Sequence, residues 1–247
     1  MTEFEKETQD RIVEQGANES FLEASRVFMN ESIGAKYSYN FLWLGRPIIQ
    51  HPQDIVGLQE MIWKIQPDVI VETGIAHGGS LILSASLLAL NEVCGGTAGG
   101  KVIGVDIDIR EHNRKAIEEH PMFDRISLIE GSSIDPEIVA EVEEAVGDAK
   151  TVLVVLDSNH THEHVLEELR LYHHLVSKGS YLIVFDTIVE HLPPELIGDR
   201  PWGKGNSPGS AVVEFLTETD RFELDEEFET KLMVTAGPGG FLKCLKD

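Results

Sequence analysis

Apolar positions change their spacing several times along the chain, and each change predicts a different element. Over residues 1–40 they recur every three to four places among acidic and polar neighbours, as in Ser20-Phe21-Leu22-Glu23-Ala24, which predicts helices. An aromatic segment follows, Tyr37-Ser38-Tyr39-Asn40-Phe41-Leu42-Trp43, and Gly45-Arg46-Pro47 predicts the turn that closes it. Asp54 stands where it could cap a helix over residues 55–65, which Pro67 ends. From residue 68 the pattern becomes short β-branched runs bounded by turn residues, at 68–72, 101–106, 126–130, 151–156 and 181–186. Helical patterns at 80–90, 110–119, 164–176 and after Asp135-Pro136-Glu137 separate them.

Five alternations of strand and helix specify a parallel, doubly wound α/β sheet of Rossmann type. The remaining chain departs from that rhythm. Residues 211–216 read as helix, 222–228 as a strand, and 233–245 as another strand around Gly237 to Gly240, together an antiparallel hairpin at the sheet edge. The expected organisation is a single domain, with residues 1–66 as a helical and aromatic-loop extension before a core over 67–247.

Composition narrows the partners. Hydrophobic residues make up 42% of the 247, enough for a full core, and no run of about 18 apolar residues predicts a membrane span. The charged start, Met1-Thr2-Glu3-Phe4-Glu5-Lys6, is unlike a signal peptide, so a cytoplasmic location is expected. Cys94 and Cys244 lie far apart and outside any C-x-x-C pair, so both are expected as free thiols. The net charge of −23, from 43 acidic and 20 basic residues, argues against nucleic acid and anionic membrane as partners.

Candidate chemistry sits at the strand ends, because ligands of open α/β sheets bind outside the carboxyl ends of the strands. Those ends carry Glu72, Asp106, Ser132 and Ser133, Asp157, and Asp186. The first turn, Glu72-Thr73-Gly74-Ile75-Ala76-His77-Gly78-Gly79-Ser80, lacks the G-x-G-x-x-G of dinucleotide sites. It offers an acid instead, which suits S-adenosylmethionine (SAM), a cation with a ribose diol and no phosphate. Asp106 is placed for the ribose hydroxyls, Ser132 and Ser133 for the adenine edge, and His77 for the pocket wall. Asp157 and Asp186 end neighbouring strands; they could hold a divalent cation such as Mg²⁺, or Asp157 could bond the SAM ammonium while Asp186 caps a loop. His160, directly after the fourth strand, is a candidate general base or a loop hydrogen-bonder. Its alternate neighbours His162 and His164 enter a helix, where such spacing separates faces, so a zinc cluster is not expected.

Several stretches together resemble the cephalosporin hydroxylase / rhamnosyl O-methyltransferase family. They are Tyr39-Asn40-Phe41-Leu42-Trp43-Leu44-Gly45-Arg46-Pro47-Ile48-Ile49-Gln50, residues 71–80, Gly104-Val105-Asp106-Ile107-Asp108-Ile109-Arg110, Glu130-Gly131-Ser132-Ser133, Leu156-Asp157-Ser158-Asn159-His160-Thr161, Asp186-Thr187, and Arg200-Pro201-Trp202-Gly203-Lys204-Gly205-Asn206. The resemblance implies a SAM-dependent methyltransferase acting on hydroxyl oxygens of small molecules, sugars and antibiotic precursors included. It also implies a homo-oligomer and a Mg²⁺ site at Asp157 and Asp186. Some relatives carry an acid immediately before the second aspartate; here Phe185 stands there, leaving Thr187 or Glu190 as weak substitutes. The loop over 200–210, with Trp202 and Asn206, reads as a lid over the substrate, and the aromatic segment near Tyr37 as a second wall. Two rivals stay open: a SAM-binding partner subunit without catalysis, and an NAD-dependent oxidoreductase, against which the missing dinucleotide pattern counts.

Overall fold

The computed structural model describes residues 1–246. Two surface helices open it, α1 (Glu3–Gly16) and α2 (Glu19–Gly34). Thr2 and Glu5 form a reciprocal cap on α1, and Asn18 caps α2 by accepting from the Phe21 N–H. A 3₁₀ turn over Tyr37–Asn40 then leads into β1 (Phe41–Trp43) and β2 (Arg46–Ile48), an antiparallel hairpin. Its turn is Leu44-Gly45, with φ of 44° and 88°, the left-handed pair that tight hairpins demand. The turn thus falls one residue earlier than the Gly45 to Pro47 reading, and Arg46-Pro47 is strand.

The next helix, α3 (Pro52–Ile65), starts before its expected cap. Pro52 takes the first-turn position, and Asp54 lies inside that turn, buried, accepting from the Ala236 N–H at 3.0 Å.

Five parallel strands form the core: β3 (Val69–Thr73), β4 (Lys101–Asp106), β5 (Ile126–Glu130), β6 (Val152–Leu156) and β7 (Tyr181–Val184). The crossovers carry α4 (Gly79–Val93), α5 (Glu111–Glu118), α6 (Pro136–Val146) and α7 (His162–Tyr172). Every residue of β3 and β6 is buried. Val69 and Val71 pack into the apolar layer shared with α6 and α7, while Ile70 joins the opposite layer with α3 and α4. Burial on both faces explains continuous apolar runs in place of alternation.

The chain ends with α8 (Pro194–Ile197), α9 (Pro208–Glu218), β8 (Phe222–Leu224), α10 (Glu226–Leu232) and β9 (Phe241–Cys244). The sheet order is β5-β4-β3-β6-β7-β9-β8, with the last two strands antiparallel. The strand expected over 222–228 stops at Leu224 because Asp225 caps a helix, accepting from the Phe228 N–H at 3.0 Å. The final strand begins at Phe241, after the glycines rather than around them, and α10 lies between the paired strands. Gly240 lies so close to the Val184 carbonyl that a Cβ there would overlap it. Cys94 and Cys244 are free thiols. Among the described residues, no helix is long and apolar enough to cross a membrane.

Candidate functional site

β3 pairs with β4 on one side and β6 on the other, so the strand order reverses there and opens a crevice at the carboxyl ends. A cavity of about 580 Å³ fills it. Three left-handed residues shape the turn after β3: Gly74, Ala76 and Gly78, at φ 90°, 46° and 81°. A Cβ on Gly74 would run into the Asp157 carbonyl, so glycine is what lets the turn and the end of β6 meet.

Asp106 clamps this turn. Its Oδ2 accepts from the Ile75 and Ala76 N–H groups at 2.7 and 3.2 Å, and its Oδ1 from Asp108 at 3.1 Å. A carboxylate has about four lone-pair sites, so capacity toward the cavity remains. Arg46 and Asn113, which sequence reasoning did not single out, brace the turn from outside. Arg46 donates to the His77 carbonyl at 2.6 Å, and Asn113 Nδ2 to the Ala76 carbonyl at 2.9 Å. Asn113 carried a detectable signal as a polar residue on the inner face of α5.

Gly74, Ala76, His77, Ser80, Asp106, Asp157, His160, Asp186 and Trp202 line the cavity; Glu72, Ser132, Ser133 and Asn206 do not. Glu72 is buried beneath the turn, accepting from the Ser80 hydroxyl, and burial pushes its carboxyl up to about 7. Ser133 points away into a buried polar network. Its Oγ lies 3.1 Å from His164 Nε2, its carbonyl accepts from the Tyr172 hydroxyl at 2.9 Å, and Ser158 donates to Glu168 at 2.7 Å. Asn206 ties the loop to α7, accepting from the His162 N–H at 2.9 Å and donating to the Pro201 carbonyl at 2.7 Å.

Asp157, His160 and Asp186 converge, with ligand atoms all within 4.8 Å of one another. His160 Nε2 lies 3.2 Å from Asp186 Oδ2, and Trp202 meets the His160 ring edge-on at 4.9 Å. Asp186 itself is left-handed, at φ 55°, a conformation that aspartate tolerates better than most residues. Burial raises the Asp157 carboxyl well above its ordinary range, and the charges of Asp186, Glu72, Glu168 and Asp54 add to the shift. No arginine or lysine opposes these acids among the groups acting on Asp157. Oxygen donors under mutual repulsion are what a hard divalent cation stabilises, so the residues fit Mg²⁺. Thr187 and Glu190 do not join them: Thr187 donates to the Pro238 carbonyl at 2.7 Å, and Glu190 accepts from the Ser207 hydroxyl at 2.6 Å. Phe185 is buried against Phe241. The alternate histidines diverge as helix entry requires, His162 toward Ser210 and Glu214, His164 toward Ser133 and Ser158.

Two further buried polar residues flank the cluster, His51 and Asp54. Burial lowers the His51 imidazole against the opposing pull of Asp186, and burial raises the Asp54 carboxyl to about 7. An acid raised on folding binds more protons folded than unfolded between its two values. Its contribution to stability therefore falls as pH rises through that window, about pH 4.5 to 7 for Glu72. Urea unfolding of the protein should lose roughly 2 kcal/mol between pH 5 and 7.5 relative to Glu72→Gln; parallel pH profiles for the two would refute a buried ionisable Glu72.

A model of the family described as Rhamnosyl O-methyltransferase/CmcI matches residues 35–245. The rhamnosyl O-methyltransferase of Mycobacterium tuberculosis (strain ATCC 25618 / H37Rv) is 28% identical over 214 residues, covering 83% of this chain and 81% of the relative. That of Mycobacterium leprae (strain TN) is 25% identical over 205 residues, covering 81% of each. Among solved structures, CmcI described with Mg and SAM superposes with a TM-score of 0.56 at 20% identity, over 84% of this chain and 77% of that one. The O-methyltransferase from Bacillus cereus in complex with SAH gives 0.52 at 16% identity, over 83% and 82%. At these identities the two structures speak for the fold.

Proposed function

The chain belongs to the rhamnosyl O-methyltransferase/CmcI family, and from that membership we propose that it transfers a methyl group from SAM to a hydroxyl oxygen of a small molecule such as a sugar or natural-product precursor. The observation that carries this reading is a single cavity whose lining runs from the glycine turn and Asp106 to Asp157, His160 and Asp186. SAM occupies the end built by the turn, with Asp106 accepting from the ribose hydroxyls. Glu72 supports from below through Ser80.

The acceptor oxygen attacks the methyl carbon in line with the departing sulfur; the C–O bond forms, the C–S bond breaks, and SAM leaves as neutral S-adenosylhomocysteine. Holding the two reactants in that line supplies most of the rate. The acceptor's proton passes to His160, whose Nε2 lies 3.2 Å from Asp186 Oδ2 on the cavity lining. Asp157 and Asp186 would hold Mg²⁺, which when bound makes a nearby hydroxyl more acidic. Trp202 covers His160 and limits water there.

Titration calorimetry with SAM tests the first step: micromolar binding is expected, weakened at least 10-fold by Asp106→Ala, and no binding at millimolar SAM would remove the proposal. Chelation should slow methylation; an unchanged rate, together with full activity of Asp186→Ala, would remove the cation. A cytoplasmic home, where SAM is made, belongs to the same proposal. So does a homo-oligomer, supported by exposed Phe4, Phe21, Phe28, Tyr39 and Leu42 in the N-terminal segment and checked by sedimentation.

A further inference from the structure

The cavity is acidic on its floor and basic at its mouth. Asp106, Asp157 and Asp186 line it, half-buried, at the strand ends, whereas Lys36 and Arg200 line it as exposed residues after α2 and α8. These two cations come from segments distant in sequence that line the same cavity. Lys36 follows the C-terminus of α2 in a left-handed conformation, φ 54° and ψ 39°. Arg200 follows α8, and α8 packs on the end of α2, so that a Cβ on Gly34 would touch Leu196 Cδ2 at 3.4 Å.

Both charges are available. Lys36 and Arg200 are exposed at the cavity wall and, like Lys64, Lys101 and Lys178 elsewhere on the surface, are held in no ion pair among the described residues. Arg200 spends one nitrogen, Nη1, on the Leu196 and Ile197 carbonyls at 3.0 and 3.3 Å, as a basic residue after a helix often does. Its other N–H groups make no hydrogen bond among the described residues. Glu195 is the acid on this wall, and it pairs with neither. The apolar side chains of Ile188, Leu192 and Leu196 also line the cavity.

We infer that the methyl acceptor is an amphipathic hydroxy acid, bound with its carboxylate on Lys36 and Arg200, its apolar body along α8, and its hydroxyl at the Asp157–His160–Asp186 end. This rests on the methyl transfer proposed above and narrows its acceptor from any hydroxyl compound to an anionic one. A carboxylate matches the planar N–H fork of arginine. The same anion placed deeper would face the three floor aspartates, so the charge pattern also fixes which end enters first.

The test uses the full chain with S-adenosylhomocysteine bound and two probes, 3,4-dihydroxybenzoate and its methyl ester, which differ in one negative charge. SAM binding is measured first and independently. If SAM does not bind, the methyltransferase reading itself fails. If SAM binds, calorimetry should find the acid bound about 10- to 100-fold tighter than the ester, the range of one or two charge-assisted hydrogen bonds. Lys36→Met and Arg200→Met should each erase most of that preference, leaving ester and SAM affinities unchanged. Ester binding equal to or tighter than acid, no binding of either probe at millimolar concentration, or variants that weaken SAM in place of the acid would each overturn the assignment. The last result would give the two cations to the cofactor's own carboxylate.

Discussion

Asp157→Asn should lower kcat/KM for methyl transfer by about 10²- to 10³-fold, the cost of removing a positioned charge from a reacting centre, and at the same time make the protein more stable. The two effects share one cause. Asp157 is half-buried beside Asp186, with Glu72, Glu168 and Asp54 adding to the field, so its ionised form is disfavoured in the folded chain. Asparagine keeps the shape and removes the repulsion. At neutral pH and without divalent cations, Tm should rise by about 2–4 °C, the shift that 1 kcal/mol produces in a chain of this size. The gain should shrink as pH falls toward the ordinary carboxylate range, where the unfolded chain takes up the proton too, and should reverse when Mg²⁺ is added, because the cation stabilises only the aspartate form. Scanning calorimetry at pH 5 and pH 7.5, with and without Mg²⁺, separates these cases. A variant that is both fully active and no more stable would remove Asp157 from the site.

Gly74→Ala should be the most damaging single methyl group in the chain, destabilising by about 2–6 kcal/mol. Left-handed strain contributes about 1–3 kcal/mol and overlap with the Asp157 carbonyl a further 1–3 kcal/mol. The backbone there sits at φ 90°, and the Asp157 carbonyl occupies the space a Cβ needs. SAM affinity should fall with stability, since the same shift separates the turn from Asp106. Gly95→Ala is the internal control: φ is 85°, but nothing lies within 4 Å of its Cβ position, so only the strain is expected. Urea denaturation of both variants decides the point, and equal losses would mean that crowding against Asp157 contributes nothing.

The parallel sheet was legible because strands buried on both faces leave a mark in the sequence that little else leaves, as in Val152 to Leu156. Asp106, Asp157 and Asp186 were legible for a topological reason: in such sheets the residues that follow the strands face the ligand. Short elements were harder. The β1–β2 hairpin has three-residue strands, one containing Pro47, too little for a periodic signal. The stretch 225–228 continues with Phe228 as an extended strand would, and only the Asp225 cap diverts it into α10. Ser133 was assigned to the cofactor from its place after β5. Its direction is set instead by His164 and Tyr172 on α7, residues distant in sequence that no local pattern links to it. His51 escaped notice and Asp54 was read only as a helix cap for the same reason, the place of Asp54 beside the cluster being set by the packing of α3 against the loop at Ala236.

The order of the outer strands carries a kinetic consequence. β8 has one neighbour in the sheet, β9, and β9 lies later in the chain yet sits further in, against β7. During synthesis β8 emerges with nothing to pair with, and the open edge of β7 stays available to other chains until Phe241 to Cys244 arrive. The step that admits β9 therefore completes the sheet in one stroke. It also brings the Gly240 carbonyl to accept from the Val184 N–H, two residues before Asp186, so the acidic end of the cavity should be among the last parts of the molecule to take shape.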